Sequence, residues 1–143
     1  MVLAHEDLFH VGVVVEDLSE GMAEFGESLG LTWRRPFFPV ADVKTPQGRQ
    51  TMQVGAVYTE HGPVYYELLQ RYDSGLWQTC GLHHLGYWSD DVAGDTERLV
   101  KRGYVLEGMM MRDDAVTGAY LLLNGSSRVE LIPRSSSQRL LGK

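Results

Sequence analysis

His10-Val-Gly-Val-Val-Val-Glu-Asp-Leu18 has a counterpart later in the chain, His84-Leu-Gly-Tyr-Trp-Ser-Asp-Asp-Val92. In both, a histidine opens a strand-like run, a glycine stands two positions on, and an acidic pair leads into an apolar residue and a helical segment. Similarity at this spacing marks a duplicated supersecondary unit, and it sets the frame for the rest of the chain.

The first helix is expected over about residues 19–29, with Met22, Phe25, Gly26 and Leu29 on one face. Asp17 and Glu20 have capping-box spacing, and Gly30 suits the left-handed position after the last turn. The second is expected over about 93–102, with Val92, Thr96, Leu99 and Val100 inward and Gly103 as its stop. Strands should follow each helix. In the first half these are 50–59 and 64–70, separated by the turn-prone Glu60-His-Gly-Pro63. In the second they are 119–123 and 128–133 around Asn124-Gly-Ser-Ser127, with 109–112 as a preceding strand. Each half thus runs strand, helix, then two or three strands.

The repeat extends to the last strand of each half, where Tyr65-Tyr-Glu-Leu-Leu69 matches Arg128-Val-Glu-Leu-Ile132. A carboxylate in the middle of an apolar strand is costly unless it is paired, solvated or bound to a cation. One such residue can face water, but two at matching positions need a common reason. Strand alternation puts His10 with Gly12 and Val14, and His84 with Gly86 and Trp88, on one face of each strand. If the halves curl around one cavity, His10, Glu67, His84 and Glu130 converge, and two imidazoles with two carboxylates suit a divalent metal ion with open positions. His83 competes with His84 for the second imidazole, but Leu85 and Gly86 match Val11 and Gly12 and favour His84.

Composition bounds the alternatives. The 143 residues fit one domain, and 43% hydrophobic content is enough for a core. Nineteen acidic against thirteen basic residues, net −6, with no basic cluster, exclude an electrostatic grip on nucleic acid. Apolar runs such as Tyr120–Leu123 are too short to cross a bilayer. His5, Glu6 and Asp7 stand where a signal peptide needs apolar residues, and Cys80 is a single cysteine, so a cytoplasmic setting is expected. Residues 135–143 are expected to form a flexible tail.

With these motifs in hand, the chain resembles the vicinal oxygen chelate superfamily (glyoxalase, bleomycin resistance and dioxygenase proteins). The resemblance rests on the His10 stretch, Tyr66-Glu-Leu-Leu69, Gly81-Leu-His-His-Leu-Gly-Tyr87 and Arg128-Val-Glu-Leu-Ile-Pro133. It implies an α+β fold of two βαββ(β) modules, about 6–72 and about 81–134, forming a cup-shaped mixed sheet. It also implies Zn, Ni, Co, Mn or Fe(II) held by His10, Glu67, His84 and Glu130, and a homodimer, which would cover edge strands. The activity implied is that of a lyase, isomerase or epimerase acting on a small oxygen-chelating carbonyl substrate through an enolate, with Glu130 as base. The chain departs from the methylmalonyl-CoA epimerase pattern at Lys44-Thr-Pro-Gln-Gly48, which lacks the carboxylate before Gln-Gly, and Glu60 is a conceivable substitute.

Tyr58, Tyr65, Trp88 and Tyr120, with Trp77 nearby, are expected to line a pocket or to pack as core, and Met109-Met-Met111 to fill gaps or form a pliable wall. They leave open a second class, a metal-free protein that sequesters an aromatic or hydrophobic small molecule. A ring-cleaving Fe(II) dioxygenase is a third, disfavoured by the extra Glu67.

Overall fold

A computed structural model describes residues 1–142. Among them, nine strands run as β1 (Leu8–Val15), β2 (Val40–Thr45), β3 (Gly48–Gln53), β4 (Ala56–Tyr58), β5 (Tyr65–Gln70), β6 (Gly81–Ser89), β7 (Val105–Arg112), β8 (Ala115–Leu123) and β9 (Ser127–Pro133). Three helices accompany them: α1 (Leu18–Leu29), α2 (Val92–Lys101) and α3 (Ser137–Leu141). The strands form one mixed sheet ordered β3-β2-β7-β8-β9-β6-β1-β5-β4, curled into the half-barrel of an α+β glyoxalase-like fold. No helix among the described residues is long and apolar enough to cross a membrane.

The duplication is visible in the pairing. β1 runs parallel to β5 as β6 runs parallel to β9, and β1 and β6 pair antiparallel to join the halves. Each βαβ connection needs a helix on the outer face. Leu18, Met22 and Phe25 of α1 pack on Val13, Val57 and Leu68, while Val92 and Leu99 of α2 pack on Ala119, Leu121 and Leu131. Asp17 starts α1 by accepting the Glu20 N–H at 2.9 Å, and Gly30 ends it in the left-handed region at φ 71°. Asp91 caps α2 through the Gly94 N–H at 3.0 Å.

Several expectations are corrected. Leu29 is 54% exposed because the face of α1 packed on the sheet ends at Phe25. Val100 is 44% exposed because one residue of helix rotates it by about 100° from the inward Leu99. The strand expected over 50–59 divides at Gly55, where a Cβ would meet Gln70 Cβ at 2.9 Å; the glycine allows its carbonyl to accept the Gln70 N–H at 2.7 Å. β2 falls outside the expected strands, because Val40-Ala-Asp-Val-Lys-Thr45 carries too few apolar residues to show alternation. The β2–β3 hairpin also does not extend its own module beyond β4: it pairs with β7 of the other half, Val43 opposite Met110. Where a flexible tail was expected, 134–136 form a 3-10 turn and α3 follows, its Leu141 buried with Phe9, Tyr58 and Tyr65. Lys143 lies outside the described residues.

Leu68 is fully buried between β5 and α1. Leu68→Ala should cost about 2–5 kcal/mol in urea unfolding, whereas Leu29→Ala should stay within about 0.5 kcal/mol.

Candidate metal centre

Two matching irregularities aim the histidines inward. On β1, Leu8 faces Tyr87 and His10 faces Gly86, leaving Phe9 without a partner; on β6, Gly12 faces His84 and Val13 faces Leu82, leaving His83 without one. Each histidine therefore follows a β-bulge, which re-aims the side chains beside it. The repeated glycines make room for the rings. A Cβ on Gly12 would fall 2.1 Å from the His84 ring, and one on Gly86 would fall 1.9 Å from the His10 ring. Each module's His-x-Gly motif thus seats its own imidazole over the other module's glycine.

The four residues singled out in the sequence meet at one buried point. His10 Nε2 lies 2.9 Å from His84 Nε2, 3.1 Å from Glu130 Oε1 and 3.3 Å from Glu67 Oε1. His84 Nε2 lies 3.2 Å from Glu67 Oε1 and 3.1 Å from Glu130 Oε1, and all four donor atoms fall within 4.8 Å of one another. Ligands about 2.0–2.2 Å from a common ion and at right angles to each other are separated by about 3 Å, so this spacing suits a shared cation. Two further observations fit one. Glu67 Oε1 is buried without a hydrogen-bond donor, and no Lys or Arg pairs with Glu67 or Glu130 among the described residues.

Without a cation, protons do the neutralising. Burial opposes charge on His10, but its hydrogen bond to Glu130 and the proximity of both carboxylates outweigh it and raise its pKa to about 9. His84 is raised against burial by Glu130 and Glu67, while the imidazoles hold both carboxylates below their ordinary range despite burial. Tyr58 faces Glu67 across β4–β5, and Tyr120 faces Glu130 across β8–β9. Burial, then the carboxylates, keeps both phenols protonated. This paired Tyr–Glu arrangement, nine and ten residues apart in sequence, is a further signal of the repeat beyond the aromatic content of the strands.

The rivalry between His83 and His84 resolves into two roles. His84 points its Nε2 to the centre, and its Nδ1 lies 2.8 Å from His83 Nδ1. His83 Nε2 stands 2.9 Å from the Leu76 carbonyl, an acceptor only, so it carries the hydrogen and leaves Nδ1 to accept from His84. Burial, then His84 and Arg128, lowers His83 to about 4 and keeps it neutral. Outer hydrogen bonds of this kind fix the tautomer of a ligating imidazole. His10 has no equivalent, since Phe9 occupies the matching bulge and His10 Nδ1 lacks a partner.

Glu67 and Glu130 open on a cavity of about 440 Å³ that Tyr58, Trp77, Tyr120 and Met110 help to line. Tyr65 and Trp88, expected there, do not line it. Tyr65 packs with Phe9 and Leu141, and Trp88 stacks on Phe9 at 3.6 Å. Met109 packs in the α2 layer and Met110 faces the cavity, as strand alternation requires, while Met111 also lines the cavity where the β7–β8 pairing shifts register between Met110 and Met111. Asp42 and Asp113 are further carboxylates on its wall, while Glu60 is absent from it.

A sequence profile described as the glyoxalase/bleomycin resistance protein/dioxygenase superfamily matches residues 9–120. The chain belongs to this superfamily. Solved structures similar to it include a hypothetical protein of Bacillus halodurans C-125, at 16% identity and TM-score 0.63, covering 89% of this chain and 93% of that one. A methylmalonyl-CoA epimerase variant of Streptomyces coelicolor in complex with 2-nitronate-propionyl-CoA matches at 14% identity and TM-score 0.61, covering 89% and 93%. The epimerase of Mycobacterium tuberculosis matches at 15% and 0.60, covering 92% and 91%. No curated protein sequence matches significantly. At these identities the solved structures establish the superfamily fold alone.

Gly86→Ala should destabilise the protein by about 1–3 kcal/mol in urea unfolding, because the added methyl overlaps the His10 ring. The pH dependence follows from His10. Its proton, held up to about pH 9, must leave before a metal ion can bind. Metal affinity measured against a competing chelator should therefore rise as pH approaches that value, by about tenfold per unit for each proton released.

Proposed function

We propose that the chain is a metal-dependent isomerase, lyase or epimerase that removes a proton from the carbon beside a carbonyl of an oxygen-chelating substrate. The carrying observation is the buried convergence of His10, Glu67, His84 and Glu130 around a point where one carboxylate oxygen has no donor. Superfamily membership supports the reading, since it spans metal-assisted carbonyl chemistry.

His10, His84, Glu67 and Glu130 would hold the ion. Bound there, it supplies Lewis acidity that stabilises enolate charge on the substrate oxygen. The protein's own groups do the rest. Glu130 borders the cavity and serves as the base that takes the α-proton, and its carboxylate is kept ionised by the neighbouring imidazoles. Tyr120 and Tyr58, held neutral beside the two glutamates, keep donor hydrogens at the cavity floor. Trp77 donates to the Tyr120 hydroxyl at 3.3 Å and orients it.

An epimerase also needs a group on the opposite face of the reacting carbon. The Thr45–Gly48 turn offers none, and on the cavity wall Asp42 is engaged by Arg49 at 2.9 and 2.7 Å, which leaves Asp113 as the wall carboxylate without an ion pair among the described residues. Isomerase or lyase chemistry needs no such second group, since one base can move the proton between adjacent atoms. A homodimer belongs to the same reading, with strand β3 ending the sheet as an open edge.

Purified protein should carry close to one equivalent of divalent metal by elemental analysis, and His10→Ala should lose it. In deuterated water, the loaded protein should exchange the α-hydrogen of some member of a panel of hemithioacetals, 2-hydroxyaldehydes and α-branched acyl thioesters, read by mass. Glu130→Gln should reduce that exchange by about 10²-fold or more. Failure to take up metal, or full exchange by Glu130→Gln, would exclude the proposed roles.

A further inference from the structure

A second cavity of about 530 Å³ adjoins the first, sharing Phe37, Tyr58, Arg112, Arg139 and Leu140 with it. Its lining holds four arginines, Arg34, Arg35, Arg112 and Arg139, and no carboxylate. The chain has ten arginines. Five of them, Arg49, Arg71, Arg98, Arg128 and Arg134, are ion-paired with carboxylates among the described residues. Of the five without such a pair, only Arg102 lies away from this cavity. Arg34 is held at 3.2 and 3.3 Å by the carbonyls of Thr59 and Glu60, which orient its guanidinium without neutralising it. In a protein of net charge −6, uncompensated positive charge is thus gathered at one mouth beside the four-ligand centre.

We propose that this mouth binds a phosphate or diphosphate group on the substrate, whose oxygen-chelating end reaches the centre formed by His10, Glu67, His84 and Glu130. The inference rests on the proposed function for the position of the reacting end. A single carboxylate needs one guanidinium fork, whereas phosphoryl groups carry about −1.5 to −2 charges each and several acceptor oxygens, which matches converging arginines. Phe38, 66% exposed on the same rim, adds an apolar surface against which the connecting part of the substrate can lie. Arg139 and Leu140 reach the mouth from α3, giving the C-terminal helix a part in recognition.

The test titrates inorganic pyrophosphate into the full-length protein by calorimetry, with glutarate as a carboxylate control and metal content measured on the same samples. Wild type should bind pyrophosphate more tightly than glutarate. The combined variant Arg35→Ala, Arg112→Ala, Arg139→Ala should bind pyrophosphate about tenfold or more weakly, and Arg102→Ala should match wild type. All four positions are exposed, so thermal unfolding should be unchanged. His10→Ala should still bind pyrophosphate, which separates the arginine mouth from chelation at the centre. Loss of binding in His10→Ala, unchanged binding in the triple variant, or equal binding of glutarate would overturn the proposal. Metal retained without pyrophosphate binding sinks the mouth alone; pyrophosphate bound by wild type that takes up no metal sinks the enzymatic reading alone.

Discussion

Two carboxylates and two imidazoles buried within hydrogen-bonding reach of one another constrain this structure more than any other contact. Removing two negative charges from water is costly, and no arginine or lysine among the described residues repays it. Protons on the histidines can balance the charge, and so can a divalent cation. The surroundings suit either: both facing tyrosines are neutral donors, and His83 presents a neutral acceptor to His84.

The duplicated architecture is what makes that concentration of charge possible. The parallel pairs β1–β5 and β6–β9 each bring a histidine strand beside a glutamate strand, and the antiparallel β1–β6 seam brings the two sets together. At the seam each module supplies a ligand and the space for the other module's ligand, since Gly12 lies against His84 and Gly86 against His10. The symmetry is incomplete. One bulge holds His83, which anchors its neighbour through Leu76, and the other holds Phe9, which stacks on Trp88 instead. His84 is therefore the more firmly oriented imidazole, and His10 the one whose ring nitrogen away from the centre is unsupported.

Charge is distributed unevenly around this core. Half of the arginines are neutralised at the surface by aspartates and glutamates, while those near the cup mouth retain their charge. The acidic chain total concealed this, because net charge averages over surfaces that a ligand never sees together. Folding brings Arg34 and Arg35, Arg112 at the end of β7 and Arg139 of α3 around one cavity, although they are far apart in sequence.

From sequence alone, the repeat, both helices, the Asp17 cap and the glycine after each helix, the paired strand glutamates and the opening histidines were legible, because each leaves a local pattern. Helix periodicity, capping spacing and a carboxylate within an apolar strand all register within a few residues. What needed tertiary structure was longer in range. The β2–β3 hairpin joins β7 across the halves, Tyr58 and Tyr120 stand opposite the glutamates, Tyr65 and Trp88 turn away from the cavity, and α3 closes on Phe9. The identity of the four converging residues was thus written in the chain. Their distances, the bulge that separates the roles of His83 and His84, and the gathering of unpaired arginines at the mouth were decided by how a twisted sheet folds distant strands onto one face.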